Sequence, residues 1–356
     1  MKIRQLTLAI LMLATTSAAV AEVRYTIEEL LAPPGAVGLE ASAMNDRGQV
    51  VGFARFPEDV LRPVAWEGTM PTLITGGEGA RSGVAQSINN LGHVAVTWWD
   101  DMRNHQVAVS EPGGTRSLRA LHQFSWSNAL ALNDAGHAVG FSQDDSGRTH
   151  AVLWRSRAVV SLGVKGEAGT MARDIDNAGQ IVGVRVAGSA VRPFRWHHGL
   201  LSWLKPLHEG AYASAVASNN SGRAVGDAAT ADGRYRAVLW SDVQPIDLGT
   251  LPQHESSGAS DINDVGAVVG TSYTLPDDGS AVLWQDGHTF DLNDLIAPAS
   301  EWRLYHADAI NDLGQVVGRG TRDGREAIYL LTPVPEPAHL SIAFVATAFM
   351  RRRRIR

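Results

Sequence analysis

The stretch Ala309–Gly318, AINDLGQVVG, decides the fold, because versions of it recur along the chain. Aligned on the Gly of N-D-x-G, the copies fall at Gly48, Gly92, Gly136, Gly179, Gly222, Gly266 and Gly314, spaced by 44, 44, 43, 43, 44 and 48 residues. Three positions before each Gly stands Asn45, Asn89, Asn133, Asp176, Asn219, Asn263 or Asn311. Seven before stands an Ala in every copy, from Ala41 to Ala307. A second Gly follows four residues later in six copies, and a Trp 17 or 18 later in five: Trp66, Trp154, Trp196, Trp240 and Trp284. A fixed period of this length marks a repeat architecture.

Each unit reads as four short strands. Strand A is small and alternating, as in GASDIN, and N-D-x-G then turns the chain tightly. Asn and Asp bond their own backbone in such turns, and Gly takes positive φ at no steric cost. Strand B is Val-rich (GAVVG), a second turn often carries Asp-Gly, strand C is AVLW, and strand D is TFDLN. Four antiparallel strands per unit suit a propeller blade, which must stack on its neighbours to bury both faces. The small residues of strand A belong where strands crowd a narrow axis. The five Trp belong between blades, and the Asn positions read as turn chemistry.

After Gly314 the chain supplies a strand B (QVVGRG) and a strand C (EAIYLL) but no strand D. Near the other end, YTIEELLAPPG leads into ASAMND much as TFDLNDLIAPAS leads into ADAIND. The N-terminal segment is therefore a displaced strand D that completes the last blade and removes two free sheet edges. The expected fold is all-β, a seven-bladed propeller of four-stranded blades.

Both ends of the sequence look like export signals. Residues 1–21 combine Lys2 and Arg4, an apolar run Leu6–Ala14 and the small residues Ala19-Val20-Ala21, which predicts signal-peptidase cleavage between Ala21 and Glu22. The propeller is expected over 22–332. Residues 333–356 run from a Pro-rich linker into thirteen nearly apolar residues, Ala338–Met350, and then five Arg in six positions. That order leaves a C-terminal segment in an inner membrane with its Arg in the cytoplasm. Thirteen residues are fewer than the roughly 20 a spanning helix needs. Without the two ends' basic residues, 24 basic face 37 acidic, so the exported body is near −13 and a nucleic-acid partner is disfavoured. The chain has no Cys, which excludes disulfides and thiolate chemistry.

The tail resembles the PEP-CTERM sorting signal of Gram-negative bacteria, carried here by Pro335, Glu336 and Pro337, the apolar stretch, and Arg351, Arg352, Arg353 and Arg354. The resemblance implies transient inner-membrane anchoring, recognition by an exosortase, and delivery to the cell surface or beyond, often alongside exopolysaccharide production. The repeat itself, A-x-x-I-N-D-x-G-x-V-V-G followed by W, resembles the HAF-repeat family of extracellular bacterial proteins over Tyr25–Leu331. That family implies location and architecture but no common reaction.

Catalytic signatures are missing from the sequence: no H-E-x-x-H, P-loop, G-x-S-x-G or paired-Cys metal site. Neither a cofactor nor a metal is expected. His197-His198 follows the blade Trp and reads as a turn, and QDDSG and LPDDG lack the spacing and distal Glu of a calcium loop. The repeat fails most in blade two, with Val96 for Gly, Ser110 for Trp, and TWWDDMRNH at the end of strand B. Trp98, Trp99, Trp126 and Trp302 all lie off the packing position, and topology puts the B–C and D–A connections that carry them on one face. Aromatic rings beside Asp100, Asp101 and Arg103 suit stacking and hydrogen bonding to a sugar or peptide. The leading expectation is an exported, non-catalytic binding or scaffold propeller engaging exopolysaccharide or a surface protein. A glycan-active enzyme needs converging carboxylates, for which Asp174, Asp261 and Asp308 are candidates. A purely structural surface protein would instead leave the four irregular Trp buried.

Overall fold

The computed structural model describes residues 25–334, apart from 78, 103, 123–125, 157, 165–168, 275–277 and 299. The signal-peptide site Ala21/Glu22, the sorting residues from Pro335 to Arg354, and Arg103 lie outside the described residues. Seven four-stranded antiparallel sheets form seven blades of one propeller, and no α-helix occurs among the described residues. The innermost strands are Gly38–Met44, Ser82–Ile88, Ser127–Leu132, Gly169–Ile175, Ala213–Ser218, Ser256–Ile262 and Trp302–Ile310. The N-terminal strand Tyr25–Glu29 pairs antiparallel with Arg325–Pro333, from Tyr25 opposite Pro333 to Glu29 opposite Tyr329, and closes blade seven. The borrowed strand D is thus in place.

The seven N-D-x-G turns lie together at one end of the axis, hereafter the turn face. Each turn Gly has φ between +74° and +90°, the left-handed region that only Gly enters freely. The Asn three positions earlier does two jobs. Its Oδ1 accepts from backbone N–H groups of its own turn, as Asn45 does from Arg47 and Gln49. Its Nδ2 donates to the carbonyl of the matching residue in the next blade, from Asn45 to Asn89 and on around to Asn311 and Asn45, at 2.8–3.1 Å. The next residue behaves differently from the expectation that it bonds its own backbone. The side chains of Asn90, Asp134, Asn177, Asn220, Asp264, Asp312 and Asp46 each accept from the backbone N–H of the preceding blade's counterpart, at 2.7–2.9 Å. That second ring is complete. The first is open where Asp176, with no amide, faces Asn219.

The second Gly has a steric cause. Strand A bulges at the position after the conserved Ala, driving the preceding carbonyl toward strand B. A Cβ on Gly140 would lie 2.0 Å from the Asn128 oxygen, and one on Gly226 1.9 Å from that of Ser214. Blade two keeps the same bulge, between Ala85 and Ser87, with Val96 at this position.

The core is a set of seams rather than one centre. Trp66, Trp154, Trp196, Trp240 and Trp284 are all buried, each packed on apolar residues of the blade before it. Trp66, Trp154 and Trp240 also donate Nε1–H to the carbonyls of Leu31, Arg119 and Lys205, on the connection leaving that preceding blade, at 2.6–2.9 Å. One indole therefore fills the seam and satisfies a loop carbonyl.

Candidate functional site

Opposite the turn face, the B–C turns and D–A connections make an open face around the other mouth of the axis. The four irregular Trp do not gather there as one group. Trp98 is only 7% exposed: it packs with Val51, Ala85, Val94 and Val96 in the seam between blades one and two, under Gly76, Gly77 and Gly83. Blade two carries Ser110 where other blades carry the seam Trp, and Trp98 packs into the same seam from strand B, opposite Gln106. Trp302 opens strand A of blade seven, packs on the apolar cluster of blades six and seven, and meets Tyr329 edge-on at 6.2 Å. Blade seven likewise has Thr332 at the seam-Trp position. Each of the two blades without a regular seam Trp thus has an irregular one packed against the blade before it, so Trp98 is removed from the candidate surface and Trp302 is partly engaged in packing.

Trp99 and Trp126 do come together. Trp99 stacks on His105, its partner across the hairpin, at 5.9 Å and 25° between planes. His105 is followed by Trp126 at 5.6 Å, and Trp126 meets the buried Phe141 edge-on at 5.2 Å. The run Trp99–His105–Trp126 crosses from blade two to blade three, and Trp126 is 44% exposed. Beneath it, Thr97 Oγ1 donates to Asn128 Oδ1 at 2.7 Å, tying the two blades.

Two hairpin turns flank this aromatic run. Asp100 accepts from the backbone N–H of Met102 and Asn104 and from Asn104 Nδ2, which holds its carboxyl below the ordinary range. In blade three Asp144 accepts from Ser146, Arg148 N–H and His150, with the same effect, led by the Ser146 hydroxyl. Gln143, next to that turn, donates its N–H to the Trp126 carbonyl. QDDSG is thus an ordinary hairpin turn, as the repeat predicts. The second Asp of each turn faces solvent: the Asp101 side chain is 72% exposed and pairs with Arg81, and that of Asp145 is 84% exposed and lies 3.4 Å from His122.

An axial cavity of about 280 Å³ runs inward from the turn face. The carboxylates considered for catalysis border it, and Asp174 and Asp261 are engaged in joining blades. Asp174 accepts from Ser218 N–H at 2.7 Å and from its hydroxyl, and Asp261 from Ile310 N–H at 2.9 Å. Ser87 does the same for Leu132. Burial pushes the Asp261 carboxyl up to about 7 and raises that of Asp174. Asp308 is held by both nitrogens of a forked Arg319 contact and by His306.

Sequence reading missed a further polar patch. Asp227 is pushed up to about 6 by burial, beside the Tyr212 hydroxyl, and Tyr212 meets Tyr235 edge-on at 5.5 Å. Asp227 and Arg319 occupy the position after the second Gly, where the other blades carry Phe53, Thr97, Phe141, Val184 and Thr271. Charge at that repeat position was the available signal. The rings of His197 and His198 lie 4.1 Å apart, tilted by 39°, where a strand ends and its turn begins with positive φ at His198. Among the described residues no group of His, Asp or Glu is arranged to hold a metal ion.

No protein-family model matches the chain, and no curated relative matches it in sequence. Solved structures do. The β-propeller domain of the trilobed protease from Pyrococcus furiosus matches at TM-score 0.57 and 12% identity, over 83% of this chain and 97% of that one. The oligogalacturonate lyase of Vibrio parahaemolyticus matches at 0.54 and 11%, over 88% and 98%. The acylaminoacyl peptidase of Pyrococcus horikoshii matches at 0.53 and 13%, over 83% of this chain but only 52% of that one, so this chain spans about half its length. At such identities the likeness is one of fold, and the fold is the propeller.

Proposed function

We propose that this is an exported, non-catalytic binding propeller whose open face engages a saccharide across blades two and three. The observation that carries the reading is the Trp99–His105–Trp126 run, set on a rigid two-blade platform. Trp98 and Trp302 have packing work to do, whereas Trp126 keeps 44% of its surface exposed beyond its edge contact with Phe141. Stacking of a sugar ring on an aromatic face needs no more than this, with the hairpin carboxylates as hydrogen-bond acceptors. The inner carboxylates favour binding over cleavage, since Asp174 and Asp261 each spend an oxygen on a neighbouring blade. Export and surface delivery by exosortase belong to the same proposal and are supported by the two terminal sequences.

The test is affinity electrophoresis of residues 22–332 through the producing organism's own exopolysaccharide, with a Trp99→Ala/Trp126→Ala double variant beside it. At about 1 kcal/mol per ring contact and 1.4 kcal/mol per tenfold, the variant binds on the order of ten- to thirtyfold more weakly and runs unretarded. Equal retardation of both proteins, or of neither, overturns the reading.

A further inference from the structure

The charge around the aromatic run says which saccharides it takes. On one side stands the Asp100-Asp101 turn and on the other the Asp144-Asp145 turn, an Asp pair from each of two adjacent blades. Asp100 and Asp144 are fixed as turn-closing acceptors, with their hydrogen-bonding oxygens turned inward on their own loops. Asp101 and Asp145 extend into solvent. The cations nearby are partly spent: Arg81 bridges Asp101 and Glu58, at 2.9 and 3.3 Å, and His150 is held by Asp144 at 2.8 Å. Arg148, exposed in the blade-three turn, and the His122 ring, 3.4 Å from Asp145, are further basic groups described there. Two turn-closing carboxylates and two exposed ones, paired with Arg81 and His122, leave more acid than base around the aromatic floor and make a negative rim, on residues 22–332 that carry 36 acidic against 24 basic side chains. A polyuronate brought onto that floor meets like charge at close range, whereas a protonated amine on the sugar meets opposite charge.

Resting on the binding reading above, we infer that the platform selects glycans bearing free amino groups and refuses uronic-acid polymers. The stacking surface supplies affinity for any pyranose ring, and the two Asp-Asp turns supply the choice.

Isothermal titration of the intact propeller with three hexasaccharides of one length tests this: glucosamine, N-acetylglucosamine and galacturonic acid oligomers. The expected order is the amino sugar first, the neutral sugar about tenfold weaker and the uronate weakest, with the gaps narrowing as salt is raised from 20 to 300 mM. Asp101→Asn/Asp145→Asn, two exposed positions whose loss leaves the turn-closing residues intact, should cost about five- to tenfold for the amino sugar and nothing for the neutral one. A uronate bound as tightly as the amino sugar, yet lost in Trp99→Ala/Trp126→Ala, overturns this inference and leaves the platform standing. Amino-sugar binding that survives the Trp variant overturns it as well, as general attraction to an acidic protein. Binding of none of the three sinks the platform and the selectivity together.

Discussion

At the residue scale, the turn Asn is selected because it must accept and donate at once. Asp supplies only the first function, and Asp176 shows the result: both its oxygens face Gln180, it is buried, its carboxyl is raised chiefly by that burial, and it sends no bond to blade five. Asp176→Asn should complete the inner ring and raise stability by about 1 kcal/mol, read as a higher urea midpoint at pH 7. The converse, Asn89→Asp, removes a buried donor and buries a charge, and should cost about 1–3 kcal/mol. Asp261 adds a pH term. Its folded value, about 7, lies above the ordinary 3.8, so the native state holds the proton more tightly than the unfolded chain. The stability this gives is fully present below about pH 4 and lost as pH rises through 7. Asp261→Asn keeps an oxygen for Ile310 N–H and cannot ionise. The variant should therefore match the wild type below about pH 4 and pull ahead as pH rises, by about 1–2 kcal/mol at pH 8, less than full burial would give because the carboxylate borders the axial cavity. Thermal melts across that range, with no widening gap, would remove Asp261 as the source.

At the scale of the element, each blade is legible to the degree that it repeats. Strand boundaries, the tight turns and the seam Trp follow from spacing, because every copy solves the same packing problem. What could not be read was how an irregular blade repairs itself. Ser110 and Thr332 leave a seam short of an indole, and other indoles pack into those seams from strand B in blade two and from the start of strand A in blade seven. The clue was present, since the two blades lacking a seam Trp are those whose own strands carry Trp98 and Trp302, but period alone cannot say which way a ring points. The half-buried Trp99 and the exposed Trp126 separate from the seam-packed Trp98 and Trp302 only once the fold places His105 between their rings. Arg103, the remaining candidate, lies outside the described residues. Trp98→Ala should therefore behave as a core lesion, costing about 3–5 kcal/mol, whereas Trp126→Ala should leave the melting temperature nearly unchanged. Differential scanning calorimetry of the two variants distinguishes filler from platform.

At the scale of the whole molecule, the ring is closed twice, by the N-terminal strand at the rim and by the seven-membered hydrogen-bond circle at the axis. An open repeat array loses stability unit by unit from its ends, but this one has no free end among its blades. Leu30, buried just past the borrowed strand against Ile328 and Leu330 of blade seven and Val50 of blade one, sits at the closure. Leu30→Ala should cost about 2–5 kcal/mol and still give one cooperative transition, because each blade's seam depends on both neighbours. Two resolved transitions would mean that the blades near the closure unfold separately.

The pairing of Tyr25 with Pro333 has a consequence for how the molecule is presented. Pro333 lies against Gly314, and Thr332 receives a bond from Gln315, so this pair sits beside the blade-seven turn, at the turn face. The chain therefore enters and leaves the ring on one side, and the Trp99–Trp126 platform occupies the other. Any leash attached at either end, whether a lipid-side anchor, a fusion partner or a sensor-chip tag, holds the disc like a dish on its stand, with the aromatic platform turned outward and unobstructed.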